Sequence, residues 1–288
     1  MFPSLTRSFL ALLSVVVFAR AEVVIPEEYK TGGFALGCQA YCFNRFTAYE
    51  AIEKTAAAGG RVIEFYPGQV LSKEDPTLKV HHNSGDDVIS KLQAKLLEYK
   101  LLAVNYGVVA LPNDEQECRK VFQFAKKLGL RGVTSEPSPQ AMGLIEKLCI
   151  EYDLTMGIHN HPRRPNNPDY KFWDPHYELS LVKDRDRRLG SCADTGHFVR
   201  SGIKPTEALK ILEGRVVSSH LKDLHEFAPG GHDVPFGTGK SDIPGILDEL
   251  KRQKFSGHIS VEYEYNIEHS VPEIAQCIGF VRGYTSPR

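Results

Sequence analysis

The sequence predicts a single (β/α)8 barrel, the TIM-barrel class. Short, β-rich apolar runs alternate eight times with longer amphipathic ones. Such alternation points to a parallel sheet buried under helices. The length suits one barrel of about 250 residues. No Gly-x-Gly-x-x-Gly follows the first strand, so an open dinucleotide-binding sheet loses its main support.

The first residues stand apart from this pattern. Arg7 precedes an apolar run over 9–18, broken only by Ser14, and Ala19-Arg20-Ala21 forms a small-residue cleavage pattern. These features describe a secretory signal peptide over 1–21, and the run is too short to span a bilayer. The expected mature chain begins at Glu22, spans 22–288 as one barrel domain and is secreted or periplasmic. Losing Arg7 and Arg20 takes the formal charge from −1 to −3. A near-neutral, slightly acidic protein has no electrostatic reason to sit on nucleic acid or anionic lipid. No second apolar stretch is long enough to cross a membrane, so no membrane insertion is expected after cleavage; a homo-oligomer is compatible with the sequence.

The first strand is expected over 34–41. A helix follows from Thr47, a capping residue, to Ala58, closed by Gly59-Gly60. The second strand is 61–66. The next helix, 86–99, is expected to place Val88, Leu92, Leu96 and Leu97 on one face. The third unit pairs strand 101–109 with helix 114–128, and the fourth pairs strand 131–136 with helix 140–152. A fifth strand, 154–161, is separated by a Pro- and Asn-rich loop from a helix over 175–184. Strand 189–194 leads to helix 205–212. Strand 216–221 leads through a Gly-rich loop to helix 243–251. Strand 258–263 and helix 271–281 complete the series. The six cysteines show no Cys-x-x-Cys spacing, so a zinc knuckle is not expected. Export permits disulfides, Cys118–Cys149 among them. Buried free thiols are the preferred reading, because a barrel of this size needs no staples.

Active sites of such barrels lie at the C-terminal ends of the strands. Those ends carry Glu64, Glu136, His159 and His161, Asp194, His220 with Lys222 and Asp223, and Glu262 with Glu264. Converging on one mouth, two Glu, one Asp and one His repel each other or need a cation. Mixed carboxylate and imidazole donors suit one divalent ion, with Mn, Zn, Mg, Co and Fe all left open.

Asp194-Thr195-Gly196-His197, His220-Leu221-Lys222-Asp223, Val234 to Gly239 with Asp242, and Ile259 to Glu264 together resemble the xylose-isomerase-like TIM barrels. That superfamily holds sugar isomerases and epimerases, hydroxypyruvate isomerase, inosose dehydratase and endonuclease IV. The resemblance covers nearly all of the mature chain. It implies metal ligation by Asp194, His220 and Glu262. In the tagatose-epimerase branch the fourth ligand is a glutamate on the fifth strand, where this chain has His159-Asn160-His161. The inosose-dehydratase branch shares that His-x-His and implies Glu136 as the fourth ligand.

The remaining strand-end groups are then expected to face a sugar or polyol. His161, with Glu262, is the candidate acid/base, and Lys222 the candidate oxyanion stabiliser. His159, His197 and Glu64 are candidate substrate contacts, the last two alternatively orienting a ligand. The Gly237–Gly239 loop is a candidate lid or anion cradle. The resemblance implies an isomerase or epimerase working through an enediolate. A lyase or dehydratase expelling a β-leaving group, or a sugar-binding barrel without turnover, remains as an alternative. A nuclease like endonuclease IV ranks last.

Overall fold

A computed structural model describes residues 25–285, and the signal peptide expected over 1–21 lies outside them. Eight parallel strands form the barrel: β1 (Phe34–Gln39), β2 (Val62–Phe65), β3 (Leu102–Tyr106), β4 (Gly132–Ser135), β5 (Thr155–His159), β6 (Leu189–Asp194), β7 (Val216–Leu221) and β8 (His258–Val261). Each pairs with its successor, and β8 pairs with β1 through His258 opposite Ala35 and Val261 opposite Cys38, which closes the sheet. The helices between them are α1 (Ala48–Ala57), α2 (Asp86–Tyr99), α3 (Glu115–Leu128), α4 (Met142–Tyr152), α5 (Pro175–Val182), α6 (Pro205–Ile211), α7 (Ile243–Arg252) and α8 (Val271–Thr285).

Local chemistry sets the helix boundaries. Thr47 and Glu50 form a reciprocal capping box on α1. Asp114 accepts the Gln116 and Glu117 N–H groups at the start of α3, and Gly129 ends that helix at φ 82°. The helices lay their apolar faces on the strands in one continuous core, with Leu92, Phe122, Ile145 and Leu247 among its buried members. Beneath the barrel, Ile25 and Tyr29 pack on Ala35, Val62 and Val104. All six cysteines are buried and free, and no Cys118–Cys149 bridge exists.

Several strands stop short of their expected ends. β1 gives way to a helical turn over Ala40–Phe43, β4 ends at Ser135, β5 at His159 and β8 at Val261. The apolar or inward-facing pattern continues, but the strands do not, so Glu136 and His161 stand just beyond the hydrogen-bonded sheet, while the Glu262 N–H still reaches the Leu221 carbonyl at 3.3 Å. A helical turn over Thr195–Arg200, directly after β6, also had no counterpart in the sequence reading.

One buried acid lies outside the barrel mouth. Glu178 of α5 faces β6, accepts from Ser191 Oγ at 2.6 Å and leaves Oε1 without a hydrogen-bond partner. Burial pushes its pKa well above that of a free glutamate. The stability tied to its protonated form is present at low pH and is lost as pH rises through that raised value. Glu178→Gln is therefore expected to flatten the alkaline side of the stability profile, gaining at least about 1 kcal/mol over the native chain between pH 5 and 9. Urea midpoints measured across that range check this; parallel profiles for the two proteins contradict it.

Candidate metal centre and cleft

β5, β6, β7 and β8 bring four buried donors to one point. His159, Asp194, His220 and Glu262 each offer an atom within 4.8 Å of the others. His159 Nε2 lies 3.0 Å from His220 Nδ1 and 3.7 Å from Asp194 Oδ2, and His220 Nδ1 lies 3.2 Å from Glu262 Oε2. Register explains the convergence, since His220 pairs with Asp194 on one side and with Ser260 on the other.

Each donor is held from behind. Asp194 caps the helical turn that follows β6, its Oδ1 accepting the His197 N–H at 2.7 Å. Its backbone is bracketed by Asn160, which accepts the Asp194 N–H at 2.7 Å and donates to the Asp194 carbonyl at 2.9 Å. Asp194 Oδ2 is left buried with no hydrogen-bond partner. On the other side of the cluster, His220 turns Nε2 to Glu64 Oε2 at 3.0 Å and Nδ1 toward the cluster. Glu64 also accepts from Ser260 Oγ and Asn105 Nδ2, both at 3.0 Å. A carboxylate behind a ligating imidazole fixes its tautomer and raises its basicity.

The charges are coupled. Burial disfavours ionisation of Asp194, but His197, Lys222 and His159 outweigh it and hold its pKa well below the usual aspartate range. Burial also opposes the charge on Glu262, and Lys222 and His220 overcome it in the same direction. For His220, burial is outweighed by Cys192, Glu64 and Glu262, which raise its pKa well above that of a free histidine. Burial lowers the pKa of His159 and of His197.

The donor set fits a divalent cation. Asp194 Oδ2, which makes no hydrogen bond and lies 3.3 Å from the Lys222 ammonium, shares one buried point with two imidazoles and a second carboxylate. Donors at about 2.0–2.2 Å from a common ion lie three to four ångströms apart. Two carboxylates balance the charge of such an ion, and two nitrogens favour Zn²⁺, Mn²⁺, Fe²⁺ or Co²⁺ over Mg²⁺.

The structure places three of these groups differently from the sequence expectation. Glu136, expected as the fourth ligand, pairs with His161 Nδ1 and accepts from Tyr170 OH at 2.6 Å. It groups with His159 and His161 in a second cluster that could itself hold an ion, apart from Asp194, His220 and Glu262. The reason is reach: Glu136 lies one residue past β4 and is drawn toward the loop that carries Tyr170, whereas His159 ends β5 facing inward. Glu64, expected to touch substrate, is fully buried under His220 and does not line the cleft. Lys222, expected to face an oxyanion, is buried with its ammonium 2.8 Å from Glu262, 3.3 Å from Asp194 and 2.5 Å from Glu264. It reaches substrate only through those carboxylates. Gly196 makes room for it, since a Cβ there would stand 2.7 Å from Lys222 Cβ.

A cleft of about 650 Å³ opens above the cluster, lined by His159, His161, His197 and Glu262 as the sequence led us to expect. It is also lined by Gln39, Tyr41, Tyr66, Arg200, His232, Asp233 and Tyr265. Gln39 ends β1, Tyr41 and Arg200 lie in the helical turns after β1 and β6, and Asp233 lies in a two-residue ladder; the others, like Tyr170, follow strands in loops that carry no periodic signal. The Gly-rich loop offers no amide cradle: Asp223 already accepts the N–H groups of Gly237 and Gly239, both at 2.9 Å, and of Ser241 at 3.0 Å.

Purified protein is expected to bind one divalent ion per chain. Asp194→Ala and His220→Ala should abolish binding, His159→Gln should weaken it, and Glu136→Gln should leave it intact. Glu64→Gln should lower affinity by roughly 10–100-fold through His220. Elemental analysis and calorimetric titration check the series; full occupancy in Asp194→Ala contradicts the site.

Comparison with known proteins follows the same lines. Residues 52–282 match the family model described as xylose isomerase-like TIM barrel. A structure of an uncharacterized protein from Parabacteroides distasonis is 30% identical, covers 87% of this chain and 99% of its own, and superposes with a TM-score of 0.70. D-allulose 3-epimerase from Methylomonas sp., solved with D-allulose, is 14% identical over 86% of this chain and 96% of its own, with a TM-score of 0.62. A protein described as a 3-DHS dehydratase in petrobactin synthesis from Bacillus anthracis is 12% identical over 85% of this chain and 97% of its own, with a TM-score of 0.60. These last two likenesses show the fold alone. No curated protein matches the sequence. On its family match and its barrel, the chain belongs to the xylose isomerase-like TIM barrel family.

Proposed function

We propose that the protein is a metal-dependent sugar isomerase or epimerase acting on a neutral sugar or keto-sugar through an enediolate. The observation that carries this reading is the His161 imidazole, backed by Glu136 and standing in the cleft beside the four-donor cluster. With Nδ1 turned to Glu136, His161 keeps Nε2 as its proton acceptor. Tyr170 fixes Glu136 in turn, so the imidazole is oriented by a short chain of hydrogen bonds.

His161 removes the proton on the carbon next to the substrate carbonyl. Returned to the neighbouring carbon, it completes an isomerisation; replaced from the opposite face by another group, it inverts the centre. Glu262 lines the cleft and is held ionised, so in that exchange it is our candidate acceptor on one face, with protonated His161 returning the proton from the other. A divalent cation held by His159, Asp194, His220 and Glu262 supplies Lewis-acid stabilisation of the charge developing on the carbonyl oxygen. Lys222 keeps Asp194 and Glu262 ionised and fixed, and His197 braces Asp194 Oδ2 at 3.6 Å while lining the cleft.

A neutral substrate is favoured over a sugar phosphate. Among the described residues Arg200 is the only Lys or Arg lining the cleft, and its guanidinium is engaged by the Gly231 carbonyl at 3.0 Å and His197 Nδ1 at 3.2 Å, with Asp233 at 3.8 Å. Asp233, Glu262 and Glu264 line the same cleft and repel an anion. The secretory leader expected over 1–21 points the same way, since it places the enzyme among free sugars and glycosides.

A lyase is the second reading. A carboxylate-backed imidazole serves equally well as the acid that protonates a departing oxygen, so the same enediolate in a keto-sugar or 3-keto-glycoside can expel a β-substituent. Incubating the metal-loaded protein with free sugars and keto-glycosides in D₂O separates the two. Deuterium in a rearranged sugar is expected; release of the aglycone assigns the lyase instead. His161→Gln should retain the metal and lower kcat by roughly 10²–10⁴. An unchanged kcat contradicts its role as the acid/base.

A further inference from the structure

The cleft is chemically two-sided. His161 and Arg200 stand on the side of β5 and β6. On the side where β7, β8, β1 and β2 adjoin, the loops carry aromatic rings. Tyr41 and Tyr66, after β1 and β2, meet edge to face with centroids 5.2 Å apart. Tyr265, after β8, packs tilted against His232 with centroids 4.2 Å apart, and His232 stacks on His225 at 3.8 Å. Tyr41 and Tyr265 are 40% and 50% exposed, two of the few large apolar side chains left open to solvent among the described residues. Both line the cleft together with Tyr66 and His232.

These rings are braced against one another, so they lose little side-chain freedom when a ligand covers them. A pyranose presents faces of C–H groups that stack on aromatic rings, while its hydroxyls remain for polar partners at the edge. Among the described residues Arg200 is the one cation lining the cleft, and it borders this side only at His232, through the Gly231 carbonyl. At about 650 Å³ the cleft falls well within the range of sites for drug-sized ligands and far exceeds one pyranose ring.

We propose that Tyr41, Tyr66, His232 and Tyr265 form a second subsite, which binds the second ring of a glycoside whose reacting ring lies over His159 and His161. The substrate class is then a two-ring glycoside, with either a sugar or an aryl group at the outer position, rather than a free monosaccharide. This deepens the sugar chemistry proposed above and rests on it for the placement of the first ring.

Binding is the direct test and needs no turnover. Cellobiose, trehalose and 4-nitrophenyl β-glucoside serve as two-ring probes, with glucose and methyl β-glucoside as one-ring controls, titrated into the full-length, metal-loaded protein by calorimetry and by saturation-transfer NMR. At least one two-ring probe is expected to bind roughly tenfold more tightly than the controls, with saturation reaching its outer ring. Tyr265→Ala and Tyr41→Ala should each erase most of that advantage and leave one-ring affinity and the circular-dichroism spectrum unchanged. Equal affinity for one- and two-ring probes, absence of binding by every two-ring probe at millimolar concentration, or an advantage that survives both substitutions overturns the subsite. Failure of the proton-transfer reading is seen separately, as absence of deuterium exchange with the ring preference intact.

Discussion

Four carboxylates, Glu64, Asp194, Glu262 and Glu264, crowd around the upper end of one barrel, and three of them are nearly or wholly buried. Buried like charges at this density are untenable without compensation. His220 sits between Glu64 and Glu262, and Lys222 sits among Asp194, Glu262 and Glu264. Much of the local architecture serves that compensation. Gly196 makes space for the lysine stem, Asn160 fixes the Asp194 backbone, and the polar lumen of Asn105 and Ser260 supports Glu64. A barrel interior filled only with Val, Ile and Leu, the usual solution, could not hold these charges.

The same constraint orders the site in depth. Glu64 and Lys222 lie beneath and act by fixing His220, Asp194 and Glu262. The four donors form the next level, and His161 and His197 stand in the cleft above. Glu136 and Tyr170 approach from the side and orient His161. With Glu136 turned to His161, the cluster around Asp194 holds two imidazoles and two carboxylates. Such a set would neutralise a divalent ion without excess negative charge.

The barrel was legible because strand and helix periodicity recur eight times and the connections are capped by recognisable residues such as Thr47 and Gly129. Strand ends were less so. The inward-facing pattern runs on past Ser135 and His159, and sequence does not record where hydrogen bonding to a neighbour ceases. Asp194, His220 and Glu262, each at or beside a strand end in a family-like motif, do converge. The structure adds His159 to them and sets Glu136 against His161, a difference hidden in the sequence because β4 and β5 are neighbours and both end in ionisable groups. Only the distance of each group past its strand, and the presence of Tyr170 on a distant loop, separates Glu136 from His159. Lys222 was placed on the right face, but its depth depends on Gly196, twenty-six positions away in the chain. The aromatic side of the cleft was invisible for a simpler reason: irregular loops carry no period, and isolated tyrosines in them look like any exposed residue.

One divalent ion among His159, Asp194, His220 and Glu262, with Glu136 serving His161, can be seen by anomalous diffraction at the metal absorption edge on crystals grown with Zn²⁺ or Mn²⁺. A single strong peak is expected about 2.0–2.3 Å from one atom of each of those four residues, with Glu136 hydrogen-bonded to His161 and Tyr170. A peak coordinated by Glu136 with His159 outside the ligand shell, or no peak among these side chains, contradicts it.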